Sequence, residues 1–274
     1  MNFAFVDIGE LGWSLSLSAH IRWLKKNTNF SVTVIALIDR KCLYEGLADA
    51  ILDVPKIFYK KFDSRKQNCF GLKQTPPEWL RKFFLSYIPA GYSIPDYFIF
   101  GCNLKLGNKV IYRPYKYSKT IEGNAEILIF PRYRKNELNR NIPTSFYAHL
   151  IESLCNEYPE LTIRTIGTYD GAYNVDISKT NYINWIGKSD SLQDLIDRCQ
   201  MAKAAVGGQS APPKISLLQG VPTFMIGHQE IRHVNVENWM DTKSGFYAIA
   251  KDSYNKFDSA DCEAKIISFI RGCE

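Results

Sequence analysis

"KAAVGGQSAPPKISLLQGVPTFMIG" (residues 203–227) reads as a buried strand, a glycine-rich turn, a helix and a second strand. The apolar run over 203–206 ends at Gly207-Gly208, two residues that let the backbone approach a neighbour or a ligand closely. Proline stands where the helix over 212–220 begins and Gly220 where it ends, the asymmetry that helices favour. VPTFMIG (221–227) is again short, apolar and rich in β-formers. A strand, a crossover helix and a strand in immediate succession specify a parallel pair.

The same alternation extends in both directions. Upstream lie EILIFP (126–131, strand), PTSFYAHLIESLCNEY (143–158, helix), LTIRTIG (161–167, strand), YINWIG (182–187, strand) and SLQDLIDRCQ (191–200, helix). Downstream, ADCEAKIISFIRG (260–272) closes the chain with a helix. At the other end, NFAFVDI (2–8) is a strand, and residues 13–26 place Leu15, Leu17, Ile21, Trp23 and Leu24 on roughly one helical side. A strand over 30–38, a helix around 40–49 and a strand over 50–54 that stops at Pro55 complete a βαβαβ pattern. Residues 56–120 read as irregular, rich in Lys, Tyr, Phe and Pro, with one helix at 77–88. The expected fold class is α/β, with two Rossmann-like doubly wound domains over 1–120 and 121–274.

At 274 residues and 46% hydrophobic composition, the chain can bury one large core or two modest ones. It holds no apolar run of about 18 residues and no basic leader before a small-residue cleavage site, so a cytoplasmic chain without a transmembrane segment is expected. Seven cysteines are scattered without a CxxC pair, and no His stands at metal-ligand spacing. Packed, reduced thiols, no metal and no bound cofactor follow as expectations. Charge is divided unevenly: residues 1–120 carry 18 Lys and Arg against 9 Asp and Glu, and residues 121–274 carry 16 against 19. The first half is therefore basic, and the two halves face different fields.

In open α/β sheets, ligands bind beyond the carboxyl ends of the strands. After the first strand comes Gly9-Glu10-Leu11-Gly12-Trp13, which is not a dinucleotide fingerprint. Glu10 either caps the following helix, whose dipole favours a carboxylate, or serves as a general base. After the strand at 203–206 come Gly207, Gly208, Gln209 and Ser210, whose amides suit a phosphate, with Lys214 in the first turn beyond; a plain strand-to-helix turn is the alternative. Pro131-Arg132-Tyr133-Arg134-Lys135 sets three cations in four residues, either a solvated loop or a diphosphate clamp. Gly227-His228-Gln229-Glu230, with Arg232 and His233 beyond, and Trp185-Ile186-Gly187-Lys188 follow other strands; His228, Glu230, Trp185 and Gly187 are candidates for nucleotide or sugar contact. Lys60 and Lys61 lie in a stretch where Lys56, Arg65 and Lys66 alternate with Phe58, Tyr59 and Phe62. Lys109, Arg113, Lys116 and Lys119 alternate likewise with Tyr112, Tyr115 and Tyr117. This is either a solvated basic face or a surface for an anionic acceptor, a phosphorylated glycan or lipid headgroup, or a nucleic acid.

These residues also resemble a known family. Ile8-Gly9-Glu10-Leu11-Gly12 opening a helix is similar to the acidic turn of the ADP-heptose:lipopolysaccharide heptosyltransferases, and the order of elements over 126–235 matches that family's second half. Where the family has Gly-Asn-Asp-Ser-Gly-Pro, this chain has Gly207-Gly208-Gln209-Ser210-Ala211-Pro212, without the acidic residue. The resemblance implies a GT-B glycosyltransferase, with an N-terminal acceptor domain and a C-terminal nucleotide-sugar domain facing a cleft. It implies Glu10 as the base, with Gly9, Gly12, Trp13, Lys60 and Lys61 on the acceptor side. Arg132, Arg134, Lys135, Lys214 and the amides of 207–210 would then hold the donor diphosphate. The expected activity is metal-independent, inverting glycosyl transfer from a nucleotide sugar to a hydroxyl of an anionic acceptor. Two other readings stand beside it: a phage-type glycosyltransferase acting on hydroxymethylated DNA bases, and a nucleotide-sugar-binding protein or epimerase with no transferase activity.

Overall fold

The computed structural model describes residues 2–55, 57, 68–71, 97–100, 112–136, 138–189, 191–228, 242–251 and 253–273, with 68–71 and 97–100 described as backbone. The expected helix at 77–88 and the residues Lys56, Phe58, Tyr59, Lys60, Lys61, Phe62, Arg65, Lys66, Lys109, Gln229, Glu230, Arg232 and His233 lie outside the described residues. Two compact units divide the chain, Met1–Tyr112 and Arg113–Glu274.

The first unit is built on a sheet of order β3-β2-β1-β5-β4. Its strands are β1 (Asn2–Asp7), β2 (Ser31–Leu37), β3 (Ala50–Val54), β4 (Asn68–Gly71) and β5 (Tyr97–Phe100). All pairs are parallel except β4 with β5. Helix α1 (Leu11–Asn27) buries Leu17, Ile21 and Leu24, spaced four and three residues apart on one face. Lys25 and Lys26 occupy its last turn, where the dipole favours cations. Two expectations are corrected here. The helix expected around 40–49 is a 3-10 turn, Ile38–Leu43, followed by turns, because Gly46 at φ 69° reverses the chain too soon for a longer helix. The stretch expected to be irregular from 56 onward contains β4 and β5, and β5 pairs with the central strand β1.

The second unit is a six-stranded sheet in the order β11-β10-β9-β6-β7-β8, parallel throughout. Its strands are β6 (Glu126–Phe130), β7 (Thr162–Gly167), β8 (Tyr182–Ile186), β9 (Ala202–Gly208), β10 (Thr223–Gly227) and β11 (Ser244–Ala248). Helices α2 (Thr144–Glu157), α3 (Leu192–Arg198), α4 (Ala211–Leu218) and α5 (Ser259–Arg271) connect or flank them. One core joins Ile127, Ile129, Val206 and Ile226 of the strands to Leu150, Ile151 and Leu154 of α2 and Ile266 and Ile270 of α5. Strand residues alternate sides, and α4 packs on β9 and β10 from elsewhere on the sheet. Strand order reverses between β6 and β9, which is the switch point where a crevice opens in doubly wound folds.

Residues 113–119 precede this sheet as an extended strap docked on its helices. The Gln219 side chain bonds both backbone groups of Tyr115, accepting at 2.6 Å and donating at 3.1 Å. Buried Asp197 accepts from the Ser118 amide at 2.7 Å and from the Ser118 hydroxyl. Gln193 donates to the Lys116 carbonyl at 2.9 Å and Gln200 to that of Lys119 at 2.7 Å.

Candidate anion-binding site

The loops that leave β6 and β9 at the switch point line a pocket of the second unit. Backbone bonds fix the first loop: Tyr133 donates to the Gly171 carbonyl at 2.9 Å, and Tyr173 donates to that of Pro131 at 2.7 Å. Buried Asn141 clamps Arg134 from both sides, accepting from its amide at 2.8 Å and donating to its carbonyl at 3.0 Å. The Arg132 guanidinium donates to the Gln209 carbonyl at 2.5 Å, which ties the two loops together. Arg132, Arg134, Arg140, Tyr147, Gly208 and Tyr254 line the pocket, together with Gln209 and Ile142.

Its charge is concentrated around one phenol. Burial raises the pKa of Tyr254, while a hydrogen bond and charge from Arg140 and the charges of Arg134 and Arg132 work against that rise. The Tyr254 hydroxyl also lies 2.8 Å from His228 Nδ1. Tyr147, deeper in the core, has its pKa raised by burial. Three guanidinium groups beside a phenol are chemically suited to an anion, since guanidinium forks match phosphate oxygens.

The glycines shape the floor. A Cβ on Gly207 would lie 2.8 Å from Phe130 Cβ and 2.9 Å from Pro213 Cγ, so a side chain here would force its neighbours to shift. At Gly208 a Cβ would meet Tyr147, Arg132 and Ile142 at 3.7–3.8 Å, ordinary contact, and would occupy the pocket itself. A Cβ on Gly227 would meet the Gln209 side chain at 2.8 Å.

Of the residues expected to hold phosphate, the fold brings Arg132, Arg134, Gly208 and Gln209 to the pocket wall, with Gly207 beneath. Ser210 is the N-cap of α4, but its hydroxyl donates back to the Gly208 carbonyl at 3.1 Å and makes no capping bond. Lys135 pairs with Asp170 at 2.7 Å, both exposed, and does not line the pocket. Lys214 is half-buried in the first turn of α4. Trp185 lies under Arg198 and Arg164, with guanidinium carbons 4.7 and 5.1 Å from the ring centre. Both arginines also bind buried Glu126. Gly187, at φ 70°, turns the chain so that its amide reaches the Gly167 carbonyl at 2.9 Å. Sequence reading missed Arg140 and Tyr254. Neither belongs to a basic or glycine-rich run, and only the fold places them beside Arg132.

In the first unit, Glu10 is the exposed N-cap residue of α1. Its carbonyl accepts from the Trp13 amide at 2.8 Å and the Ser14 amide at 3.3 Å, while its carboxylate makes no capping bond. Gly9 is buried, Gly12 is exposed with open space where a Cβ would lie, and Trp13 is half-buried. Among the described residues, no group of three or more His, Cys, Asp or Glu could hold a metal ion. Burial raises the thiols of Cys199 and Cys262 to about 12, as suits packed cysteines. No helix among the described residues is long and apolar enough to cross a membrane.

The sheet order is that of doubly wound α/β proteins, and the arginines stand at its switch point. The whole chain is similar in fold to a glycosyltransferase of family 9 from Veillonella parvula, with a TM-score of 0.64, 11% identity and coverage of 99% of this chain and 96% of that one. It is similar to the ADP-heptose lipopolysaccharide heptosyltransferase II of E. coli, with a TM-score of 0.61, 10% identity and 99% of each chain covered. E. coli heptosyltransferase WaaC bound to ADP-2-deoxy-2-fluoro heptose gives 0.57, 10% identity, and coverage of 98% of this chain and 99% of that one. No protein-family model matches the sequence, and no curated protein matches it. At these identities the likeness is one of fold, and it bears out the resemblance first met at residues 8–12 and 126–235.

Proposed function

We propose that the chain is a GT-B glycosyltransferase that transfers a sugar, with inversion and without a metal, from a nucleotide-diphosphate sugar to a hydroxyl of an anionic acceptor. The arginine cluster at the switch point of the second unit carries this reading, because a departing diphosphate needs cations there and little else. The nucleotide sugar held by one structural neighbour supports the donor class.

Glu10 would take the proton of the acceptor hydroxyl as its oxygen bonds to the anomeric carbon. The bond from that carbon to the diphosphate oxygen breaks, and the diphosphate leaves with the electron pair. Arg132, Arg134 and the turn at 207–210 receive the charge, so no general acid is required. A single displacement inverts the anomeric centre. Lys135, Lys214, Trp185, Gly187 and His228, none of which lines the pocket, are the remaining candidates for donor contact.

A thermal-shift panel of ADP, UDP, GDP, CDP and their sugars tests the donor half, since a ligand that binds only the folded state raises Tm. No shift with any of them would sink the reading. With a turning-over donor in hand, Glu10→Gln is expected to lower kcat by about 10²–10⁴-fold at unchanged Tm, the usual contribution of a general base. Turnover that survives EDTA supports metal independence, and its loss removes it. The surplus of 18 cations over 9 anions in residues 1–120 suits an anionic acceptor, of which a nucleic acid is one version. Duplex binding that falls steeply with salt would support that version. Nucleotide-sugar hydrolysis or epimerisation with no acceptor present would point instead to a protein without transferase activity.

A further inference from the structure

Among the buried polar side chains of the first unit that the proposed chemistry leaves unused, Asp7, Ser14, Arg40 and Tyr44 form one bonded cluster. Asp7 ends β1 and is 3% exposed. Burial raises its carboxyl pKa, and the Arg40 charge with the Tyr44 and Ser14 hydroxyls pulls it back down. The Ser14 hydroxyl donates to Asp7 Oδ1 at 2.9 Å and accepts from Arg40 Nη1 at 2.5 Å. The Tyr44 hydroxyl donates to Asp7 Oδ2 at 2.7 Å. Arg40 also reaches Asp39 at 3.3 Å. One carboxylate thus gathers the end of β1, the first turn of α1 and the turn that follows β2.

Buried charges are a poor way to gain stability, because apolar side chains of similar volume often serve better. Position gives the cluster another use. Asp7 and Ser14 flank the Ile8-Gly9-Glu10 turn, and the bond between them closes that turn into a ring. Ser14 is held from two directions: its amide binds the Glu10 carbonyl, and its hydroxyl is held by Asp7 and Arg40.

We propose that Asp7, Ser14, Arg40 and Tyr44 are positioning residues that lock the Glu10 turn in one conformation, an inference that rests on the reading of Glu10 as the base. Nitrogen-15 NMR of the full chain labelled with 15N-tryptophan tests this, because the Trp13 amide is bonded to the Glu10 carbonyl and its line reports the turn. Trp13→Phe identifies that line among the five tryptophans. Ser14→Ala and Tyr44→Phe each remove one hydroxyl and leave both charges in place. In each, the Trp13 line is expected to double, or to broaden about twofold or more through slow exchange between turn conformers, while the Trp185 line keeps its width. A cluster that only stabilises the fold would lower Tm and leave the Trp13 line of the folded protein unchanged, and that result overturns the proposal. Should Tyr44→Phe fail to fold, Ser14→Ala decides. Undiminished turnover in Glu10→Gln would remove the base and leave the Trp13 result standing as a property of the turn. An unmoved Trp13 line removes the positioning device whatever Glu10 does.

Discussion

Gly207 and Gly208 are adjacent and differ in what a methyl group would do. Gly207→Ala drives a Cβ into Phe130 and Pro213 and is expected to cost about 1–3 kcal/mol, as overpacking does, read from denaturant unfolding. Gly208→Ala meets only ordinary contacts, so Tm should hold while affinity for whichever nucleotide raises Tm falls by about tenfold or more, measured by calorimetry. Equal affinity in Gly208→Ala would place the nucleotide elsewhere. Arg132 and Arg134 were legible in the sequence because they stand together just past a strand. Arg140 and Tyr254 were not, since their part in the pocket depends on tertiary placement that no local pattern encodes. Asp7 was read as one more residue of an apolar strand; its role became visible only once Arg40 and Tyr44 were seen against it.

Among the elements, α4 shows how far local rules reach. Proline near its start and Gly220 past its end marked it in the sequence, and the structure adds the bonds: Val221 donates to the Ser216 carbonyl at 3.0 Å and Gly220 to that of Leu217 at 3.1 Å. This paired termination needs a left-handed residue, and Gly220 has φ 82°. A Cβ there would meet nothing within 4 Å, so Gly220→Ala isolates the conformational cost, expected at about 1 kcal/mol by urea unfolding. The central strands were legible for the same reason α4 was, being apolar and bounded by turns. Strands β4 and β5 were not, each four residues long within a stretch of mixed basic and aromatic composition. Strand β11, SGFYA, carries too little apolar alternation to announce itself at the edge of a sheet.

Across the whole molecule, the restart of the strand–helix alternation is the signal for domains over 1–120 and 121–274, while the two compact units divide after Tyr112 and the strap over 113–119 is bonded to the second. Burial works to raise the Asp197 carboxyl, and the Ser118 hydroxyl and amide with Gln193 outweigh it, so its pKa lies below the ordinary aspartate value. A lowered folded-state pKa gives stability that is present above the unfolded value and lost as pH falls through the folded one. Hydrogen-exchange protection of the Ser118 amide is therefore expected to hold at neutral pH and to fall below about pH 4. A fragment of residues 121–274 would leave Asp197 and Gln219 without the strap, and is expected to be less stable than 113–274 by about 2 kcal/mol or more, by denaturant unfolding. The sheet order has a kinetic side as well. Strand β6 meets β7 after one helix but meets β9 only after β7, β8 and α3 have intervened, and such distant pairings are slow because a longer loop must close first. The arginine pocket straddles that seam, with Arg132 on one bank and Gly208 on the other, so its two walls belong to segments more than seventy residues apart and exist as one pocket only where the distant pairing is made.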